Sequence, residues 1–331
     1  ENWRSIMLPG VFTEPDLEWT SGTLALGVTD NINTFGYWES PPIATQAGEG
    51  LVHRARFILR TDIPEAEHVP RIRLRVNSRN SQRGDVLDLF SPPGGRAAPG
   101  SEPRVYDLYF IPAKIGAAGL TDDAVLSLDI VNFDVTDATS GTVYLEEVRV
   151  EVLEPDPAES ASALFLLDAS DLAPDPGGWD WSEVPEMFTP PRHEVLPEGL
   201  FLRGVDEQTF GFWSTERTAP WTNGILRCGF TVKSDVRVPA RTPGMRLRIN
   251  TVEGDCAQSL EIYSAGEGDN SPTPEGGIWE MWFAPPTAPP APFILSFDMK
   301  SLDAGDDLRG SLILEKAVVE QRPHVENHEE E

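Results

Sequence analysis

The sequence predicts an all-β protein built from two tandem copies of one β-sandwich domain. The first observation is a repeated heptad, TFGYWES at 34–40 and TFGFWST at 209–215. The second is a series of short runs in which apolar and polar residues alternate, as in RIRLRVNS at 71–78, and this period is typical of half-buried strands. The third is that Pro- and Gly-rich loops separate these runs, while no stretch keeps a helical period.

Further matches extend the repeat in the same order along the chain. They include ARFILRTD (55–62) with CGFTVKSD (228–235), RIRLRVNS with GMRLRINT (244–251), VYDLYFIP (105–112) with IWEMWFAP (278–285), and GTVYLEEVRVE (141–151) with GSLILEKAVVE (310–320). The spacing drifts by only a few residues between matches, as loop-length differences between duplicated domains would cause. A chain of 331 residues is also long enough for about two domains of roughly 100–200 residues each.

The repeat sets the predicted domain boundaries. The first sandwich covers 1–154, a linker covers 155–178, the second sandwich covers 179–322, and an acidic tail covers 323–331. The linker is rich in Pro and Asp at its ends, but its centre, ALFLL, is apolar and is expected to dock on a neighbouring surface. About eight or nine strands in each copy of roughly 150 residues predict a jelly roll.

Alternation also assigns residues to faces of the predicted strands. In the heptad, Phe35 and Tyr37 share one face, and Gly36 and Trp38 share the other. The heptad is then either a core strand whose aromatic residues fill the sandwich, or a strand that presents Trp at a ligand-binding face. A glycine within a strand indicates a bulge or a close approach of another segment.

A polar face that both copies repeat is the candidate functional site. With Leu74 and Val76 pointing inward, the intervening residues point outward, and the following strands supply carboxylates and one aromatic ring. The predicted face comprises Arg73, Arg75, Asn77, Asp88, Asp107, Tyr109 and Asp129 in the first copy, and Arg246, Arg248, Asn250, Glu261, Glu280, Trp282 and Asp298 in the second. The sign of the charge is the same at every charged position of the two copies.

Three uses of this face remain open. The charged residues can form a cross-strand ladder of ion pairs. They can bind sugar hydroxyls while Tyr109 or Trp282 stacks on a pyranose ring. They can also dock a neighbouring domain or subunit, because Arg and aromatic residues are favoured at interfaces. Solvent-open aromatic rings would favour sugar binding, whereas rings covered by another chain or a loop would favour assembly.

The closing strand of each copy resembles the last strand of jelly-roll carbohydrate-binding modules and of the broader galactose-binding-like class. GTVYLEEVRV in the first copy is similar to the pattern of Gly, alternating hydrophobic residues, Asp and Val in those modules. The resemblance implies their fold and a function in sugar binding. Glu146 and Glu315 stand where those modules carry Asp, which weakens the transfer of their structural calcium ligand.

Composition and charge exclude several classes of partner. The chain has 26 Lys and Arg against 54 Asp and Glu, giving a formal charge of −28, which repels nucleic acid and anionic membranes. No apolar run approaches the roughly 20 residues of a membrane helix, so membrane insertion is not expected.

Metal, disulfide and catalytic sites are weakly indicated. The loops before the closing strands carry candidate calcium ligands, Asp134 and Asp137 in one copy and Asp303, Asp306 and Asp307 in the other; no other cofactor is expected. Cys228 and Cys256 both lie in the second copy, so a disulfide between them is a hypothesis that the sequence leaves open. The GxSxG, HExxH, Walker and GxGxxG motifs are absent, and the sequence therefore predicts a protein that is not an enzyme.

These observations lead to two functional hypotheses. The first is a secreted structural subunit of an extracellular filament, sheath or surface layer, whose partner is a further copy of itself. The alternative is a tandem carbohydrate-binding protein that recognises polysaccharide through the polar and aromatic face. Glu1 in place of Met fits a mature chain whose signal peptide has been removed, and a chain trimmed for other reasons would look the same. An extracellular or cell-surface location is predicted.

Overall fold

The chain is built from β-strands throughout the residues that the computed structural model describes. These are 2–7, 12–20, 22–28, 33–46, 51–65, 68–80, 83–90, 97–115, 120–132, 141–153, 162–168, 178–184, 188–206, 208–215, 221–222, 224–237, 242–252, 256–263, 270–286, 292–301 and 310–322. The all-β prediction is confirmed, because no α-helix occurs in these ranges. A helix long and apolar enough to cross a membrane is accordingly not found in them.

The first copy contributes strands β1 to β12. They are β1 (Arg4–Met7), β2 (Asp16–Thr20), β3 (Thr23–Val28), β4 (Thr34–Glu39), β5 (Val52–Thr61), β6 (Arg71–Ser78), β7 (Arg83–Leu89), β8 (Arg104–Phe110), β9 (Lys114–Ile115), β10 (Leu120–Thr121), β11 (Ala124–Asn132) and β12 (Gly141–Leu153). All of them lie within the range predicted for the first sandwich.

The remaining strands belong to the linker and the second copy. They are β13 (Ser162–Asp168), β14 (Trp179–Glu183), β15 (Arg192–Leu196), β16 (Gly199–Arg203), β17 (Thr209–Thr215), β18 (Ile225–Ser234), β19 (Gly244–Thr251), β20 (Cys256–Ile262), β21 (Gly277–Phe283), β22 (Phe293–Ser301) and β23 (Ser311–Arg322). The domain boundaries themselves stay predictions, since most of the linker and the whole acidic tail lie outside the described residues.

The two copies have the same strand order, as a duplicated jelly-roll-type sandwich requires. In the first copy, the order β1-β4-β11-β6-β7 faces a second sheet ordered β2-β3-β12-β5-β8. In the second copy, β14-β17-β22-β19-β20 faces β15-β16-β23-β18-β21 in the corresponding positions. The apolar residues of both sheets of each copy lie in one hydrophobic core.

The two copies also share a sheet, which the sequence analysis did not predict. Strand β7 pairs antiparallel with β20, so the two five-stranded halves form one continuous sheet of ten strands. Val86 lies opposite Ser259, and these two residues occupy the same position in their copies. A pseudo-two-fold axis therefore passes through this pair, and each copy covers the edge strand that the other would expose.

The repeated heptad forms β4 and β17 near the ends of the ten-stranded sheet. Trp38 and Trp213 are both buried, and their indole N–H groups donate to the backbone carbonyls of Ala25 and Phe201 at 3.0 and 3.3 Å. Gly36, two residues before Trp38, leaves room for the segment that contains Pro15, because a Cβ atom at Gly36 would lie 2.5 Å from Pro15. On the face that carries Trp38 and Trp213, the heptad is therefore a core strand, and neither Trp is presented to a ligand.

The apolar linker segment docks as the sequence analysis expected. Strand β13 pairs antiparallel with the second half of β23 and extends the smaller sheet of the second copy. Leu164 packs against the main core, whereas Leu166 is 60% exposed.

Candidate functional site

The outer face of the ten-stranded sheet brings together eight of the predicted site residues. They are Arg73, Arg75, Asn77 and Asp129 from the first copy and Arg246, Arg248, Asn250 and Asp298 from the second. The alternation that placed them outward is present in the burial pattern, since the residues between them in β6 and β19 belong to the core. Asp88 and Glu261, which were also predicted, join them from the two central strands, so ten of the fourteen predicted residues lie on this face.

In the first copy, arginines and carboxylates pair across strands. The Nε atom of Arg73 lies 3.0 Å from Asp88, and Nη1 of Arg75 lies 3.2 Å from Asp129. Arg71, which the sequence analysis did not single out, also binds Asp88, at 2.7 Å. The cross-strand ladder, one of the three predicted uses, is therefore present.

The second copy repeats the ladder with different hydrogen bonds. Arg246 binds Oδ2 of Asp298 at 2.5 Å, and Arg248 approaches the same oxygen at 3.8 Å while donating to the hydroxyl of Ser296 at 3.2 Å. The other carboxylate oxygen of Asp298 is buried and has no hydrogen-bond partner among the described residues. In the first copy, the corresponding oxygen of Asp129 accepts a bond from Ser127.

Guanidinium groups form the outer layer of this face, and carboxylates lie beneath them. Asp129 and Asp298 are fully buried, whereas the Arg73 side chain keeps 28% of its surface exposed. On the six central strands, six cations stand against four carboxylates, which differs from the strongly acidic chain as a whole. The cations are Arg71, Arg73, Arg75, Arg246, Arg248 and Lys300, and the carboxylates are Asp88, Asp129, Glu261 and Asp298.

Hydrogen bonds connect the two ladders across the pseudo-two-fold axis. Arg75 donates to the hydroxyl of Tyr263 at 3.2 Å, and that hydroxyl donates to Glu261 at 2.7 Å. Burial by itself would lower the pKa of Arg75, but Asp129, Tyr263 and Glu261 outweigh it and hold the pKa above its usual value. Burial would likewise raise the pKa of Glu261, yet Lys300 and Arg246 lower it to about 2.

We expect Glu261→Gln to destabilise the protein at neutral pH but hardly at all in strong acid. Because the folded-state pKa of Glu261 lies below its usual 4.5, the stabilisation is complete above that value and is lost as pH falls towards 2. The variant should lose about 1–3 kcal/mol in the free energy of unfolding at pH 7. Urea titrations at pH 7 and near pH 2 measure the difference.

The control for this experiment is Glu315→Gln. Glu315 binds Lys233 at 2.6 Å on a partly exposed surface, so its loss should cost at most about 1 kcal/mol. A stability difference for Glu261→Gln that stays constant from neutral to acid pH would contradict the proposed electrostatic role.

Each end of the same face carries a cluster of three aromatic rings that the polar-face prediction did not include. Phe12, Phe35 and Tyr37 follow one another with ring centroids 5.5 and 5.9 Å apart. Their counterparts Phe188, Phe210 and Phe212 repeat the arrangement at 5.4 and 6.0 Å. Tyr37 and Phe212 are partly exposed. The doubled heptad was the sequence signal for them, since alternation had already placed Phe35 and Tyr37 opposite the buried Trp.

Small side chains line the middle of the face. Gly84, Val86, Ala257 and Ser259 share the outward side of the two central strands with Asp88 and Glu261, and all four are buried between the arginines of the two copies. Their size leaves the arginine ladders and the aromatic clusters as the projecting features. A surface cavity of about 440 Å³ opens at the first-copy end, where Asn77 forms part of its wall.

The other four predicted site residues lie on different sheets. Asp107 and Tyr109 belong to β8, and Glu280 and Trp282 belong to β21, so they face outward from the two smaller sheets. The structure does not bring them to the face that carries the arginine ladders. Asp107 pairs with Arg56 at 2.8 Å, and Glu280 pairs with Arg227.

Tyr109 and Trp282 are buried where the two copies meet. They are 1% and 5% exposed and form a second apolar cluster with Val52, Leu153 and Ile225, which draws on both copies. The amide of Gln258 in the second copy also donates to the backbone carbonyl of Tyr109 at 3.1 Å. Residues of the same chain therefore cover both rings. This arrangement corresponds to the docking of a neighbouring domain, one of the three predicted uses of the face. It favours neither a sugar-binding groove nor a subunit contact at these two rings.

The predicted metal and disulfide positions have separate outcomes. Asp134, Asp137, Asp303, Asp306 and Asp307 all lie outside the described residues. Elsewhere, in the ranges that the structure covers, no group of three or more His, Cys, Asp or Glu side chains is arranged to hold a metal ion.

The hypothesis of a disulfide is not supported, because Cys228 and Cys256 are both free and buried in the main core. Burial raises the pKa of the Cys228 thiol above its usual range.

Comparisons with known proteins reveal structural similarity only. No family model matches the chain, and no curated protein matches its sequence. Among solved structures, the chain is similar to the CBM22-1–CBM22-2 tandem domain of Xyn10C from Paenibacillus barcinonensis, with 11% identity, 96% of this chain and 93% of that chain covered, and a TM-score of 0.27.

Two further structures illustrate the range of similar folds. The family 11 carbohydrate-binding module of Lic26A-Cel5E from Clostridium thermocellum has 13% identity, covers 45% of this chain and 86% of that chain, and has a TM-score of 0.27. The ANX2 ectodomain from Arabidopsis thaliana has 11% identity, coverage of 91% and 84%, and a TM-score of 0.27. Because all three scores are below 0.5, none of these similarities carries a functional argument.

Proposed function

We propose that this protein is a non-catalytic, extracellular polysaccharide-binding protein whose binding surface is the outer face of the ten-stranded sheet. The observation that carries the proposal is the pairing, on one continuous face, of two arginine ladders with an aromatic cluster at each end. Sugars match such a surface, since their hydroxyls accept bonds from guanidinium groups while their apolar ring faces stack on aromatic rings.

The spacing of the aromatic clusters favours a chain-like ligand over a single sugar. Tyr37 on β4 and Phe212 on β17 are separated by seven strand spacings, which at about 4.8 Å per strand places them roughly 34 Å apart. A ligand that contacts both clusters must therefore extend over several sugar units. Contacts at two symmetric ends would add avidity.

The charge of the face differs from that of the acidic chain as a whole. Six cations against four carboxylates on the central strands make this surface less repulsive to anionic chains than the rest of the molecule. Neutral polysaccharides and uronate-containing polysaccharides both belong in the test. The structural-subunit hypothesis, placed first from the sequence, lacks an observation on this face that favours it.

We expect the double variant Tyr37→Ala, Phe212→Ala to bind polysaccharide roughly tenfold or more weakly than the wild type, because each ring contributes about 1 kcal/mol of stacking. Affinity electrophoresis through gels that contain a panel of neutral and uronate polysaccharides measures retention. Each single variant should retain an intermediate affinity, since one aromatic cluster remains.

Tyr144→Ala is the matched control for this experiment. Tyr144 is also partly exposed and stacks with an arginine, Arg60, at 4.0 Å, but it lies on the smaller sheet of the first copy. Its removal should leave retention unchanged. The proposal fails if the wild type is retained by no polysaccharide of the panel, or if Tyr144→Ala weakens retention as much as the double variant does.

A further inference from the structure

The junction of the two copies differs between its two pseudo-symmetric sides. On one side, Arg104 of β8 donates to the backbone carbonyl of Ala98 at 3.1 Å and, across the junction, to the backbone carbonyl of Pro286. Gly277 is the equivalent residue on the other side, because Arg104 and Gly277 begin the corresponding strands β8 and β21. The side chain that bridges the copies on the first side therefore has no counterpart on the second.

A cavity of about 580 Å³ lies at Gly277 and takes its walls from both copies. Small-molecule sites typically measure about 300–1,000 Å³, so this volume suits one small ligand. The first copy contributes Arg83, Ile111 and Lys114 among others, and the second contributes Thr273, Ile278 and Trp279.

Hydrogen bonds across the junction fix the two walls relative to each other. The side-chain amide of Asn270 accepts a bond from the backbone N–H of Lys114 and donates to the Lys114 carbonyl, both at 3.1 Å. The backbone carbonyl of Asn270 in turn accepts a bond from the indole N–H of Trp279 at 3.1 Å, and Trp279 is 8% exposed. Contacts within the chain thus position both walls, so a ligand would not have to order them on binding.

The ionisable side chains of the cavity leave one positive charge uncompensated. Arg83 lies 3.2 Å from Asp85, and Glu280 pairs with Arg227. Lys114 is exposed, and it forms no ion pair among the residues that the structure describes. An anionic group in the cavity would therefore have an available cation, although the chain as a whole carries a formal charge of −28.

Apolar side chains form much of the remaining wall. Ile278 is 72% exposed, more than any other large apolar side chain of the described residues. Ile111 and the ring of Trp279 line the same space. A ligand with an apolar ring system would remove this surface from water, which stabilises the complex in proportion to the area covered.

We propose that this cavity binds a small organic anion that carries one carboxylate or sulfonate group on an apolar ring system. Lys114 binds the charged group, and Ile278 and Trp279 contact the rings. The cavity is distinct from the outer face of the ten-stranded sheet, since Arg83 lies on the opposite side of β7 from Asp88. The site does not depend on the proposed polysaccharide binding.

Two fluorescent probes of matched shape test the role of Lys114. Anilinonaphthalene sulfonate carries a sulfonate on an apolar ring system, and phenylnaphthylamine has the same rings without that charge. The wild type should bind one equivalent of each in titrations at about 0.15 M salt, where screening limits charge effects to roughly 8 Å. Lys114→Glu should weaken binding of the sulfonate roughly tenfold and that of phenylnaphthylamine by no more than about twofold.

Two further variants locate the bound probe. Arg149→Glu reverses a cation that is 63% exposed on β12 and does not line the cavity, so it should leave binding of both probes unchanged. The double variant Tyr37→Ala, Phe212→Ala should also bind both probes as the wild type does, because these two rings belong to the outer face of the ten-stranded sheet.

Filling the cavity tests its location directly. Gly277→Arg combined with Trp279→Tyr reproduces Arg104 and Tyr106 of the first copy and should abolish binding of both probes. The second substitution is needed because a Cβ atom at Gly277 would lie 2.7 Å from the Trp279 ring. The tyrosine hydroxyl can replace the indole as donor, as the hydroxyl of Tyr106 donates to the equivalent carbonyl, that of Ala97, at 2.7 Å.

Three results would overturn the proposal. The wild type could fail to bind either probe at a single site, Lys114→Glu could weaken both probes equally, or the filled variant could bind the sulfonate with wild-type affinity while its melting temperature shows that it is folded. If the filled variant does not fold, the comparison of Lys114→Glu with Arg149→Glu decides alone, and equal affinities of these two variants for the sulfonate would exclude the site.

Discussion

Asp298→Ala should lower the free energy of unfolding by about 3–5 kcal/mol, because removing one partner of a buried ion pair leaves a charge without compensation. Asp298 is fully buried, and its Oδ2 atom holds Arg246 at 2.5 Å and Arg248 at 3.8 Å. Both guanidinium groups would lose a carboxylate partner within 4 Å, while their side chains stay only 15% and 22% exposed. Urea unfolding at pH 7 measures the loss.

A matched substitution separates the effect of burial from the effect of charge. Asp123, like Asp298, pairs with an arginine. Its partner is Arg79, at 3.4 Å, but both of these side chains are exposed. Asp123→Ala therefore removes a carboxylate from an exposed ion pair. The expected loss there is about 1 kcal/mol or less. If Asp298→Ala costs no more than Asp123→Ala, the ladder does not stabilise the sheet, and the arginines of this face would be held by other contacts.

The ladder has consequences for function as well as for stability. Arginines that are fixed by buried carboxylates present donors in set positions, so a ligand would not have to order them on binding. This is why the aromatic residues, and not the arginines, are the appropriate targets for a binding test. Substituting Arg75 would leave the buried carboxylate of Asp129 unpaired, and loss of binding could then not be distinguished from loss of structure.

The fold and the arginine ladders of the candidate site could be predicted from the sequence because both depend on local alternation. The period of two in β6 and β19 placed Arg73 and Arg246 outward, and the repeat supplied a second, independent reading of each position. The aromatic clusters were signalled by the doubled heptad, although their place at the ends of the sheet was not.

Sheet membership could not be predicted in the same way. Alternation tells which side of its own strand a residue occupies, but not to which of two sheets that strand belongs. Asp107 therefore pointed outward as expected, yet from the smaller sheet. The pairing of β7 with β20 joins residues about 170 positions apart, and neither strand carries a local signal that distinguishes a partner in the other copy from an exposed edge.

Trp282→Ala should be the most disruptive substitution at the junction of the two copies. Trp282 is 5% exposed, lies in the apolar cluster with Tyr109 and Leu153, and has the guanidinium groups of Arg227 and Arg322 over its ring at 5.9 and 5.7 Å. Truncation of a buried Trp typically costs about 3–5 kcal/mol. Because this cluster draws on both copies, its loss should also weaken the coupling between them.

The expected signature is a change in cooperativity in addition to a loss of stability. In the wild type, the shared sheet and the junction cluster should make both copies unfold in one transition, whereas in Trp282→Ala the second copy should unfold before the first. Scanning calorimetry would then resolve two heat-absorption peaks in place of one. Trp19→Ala provides the control, since Trp19 is 43% exposed at the far side of the first copy and should cost about 1 kcal/mol or less without splitting the transition. A single transition in Trp282→Ala, with a stability equal to that of Trp19→Ala, would mean that the backbone pairing of β7 with β20 alone holds the two copies together.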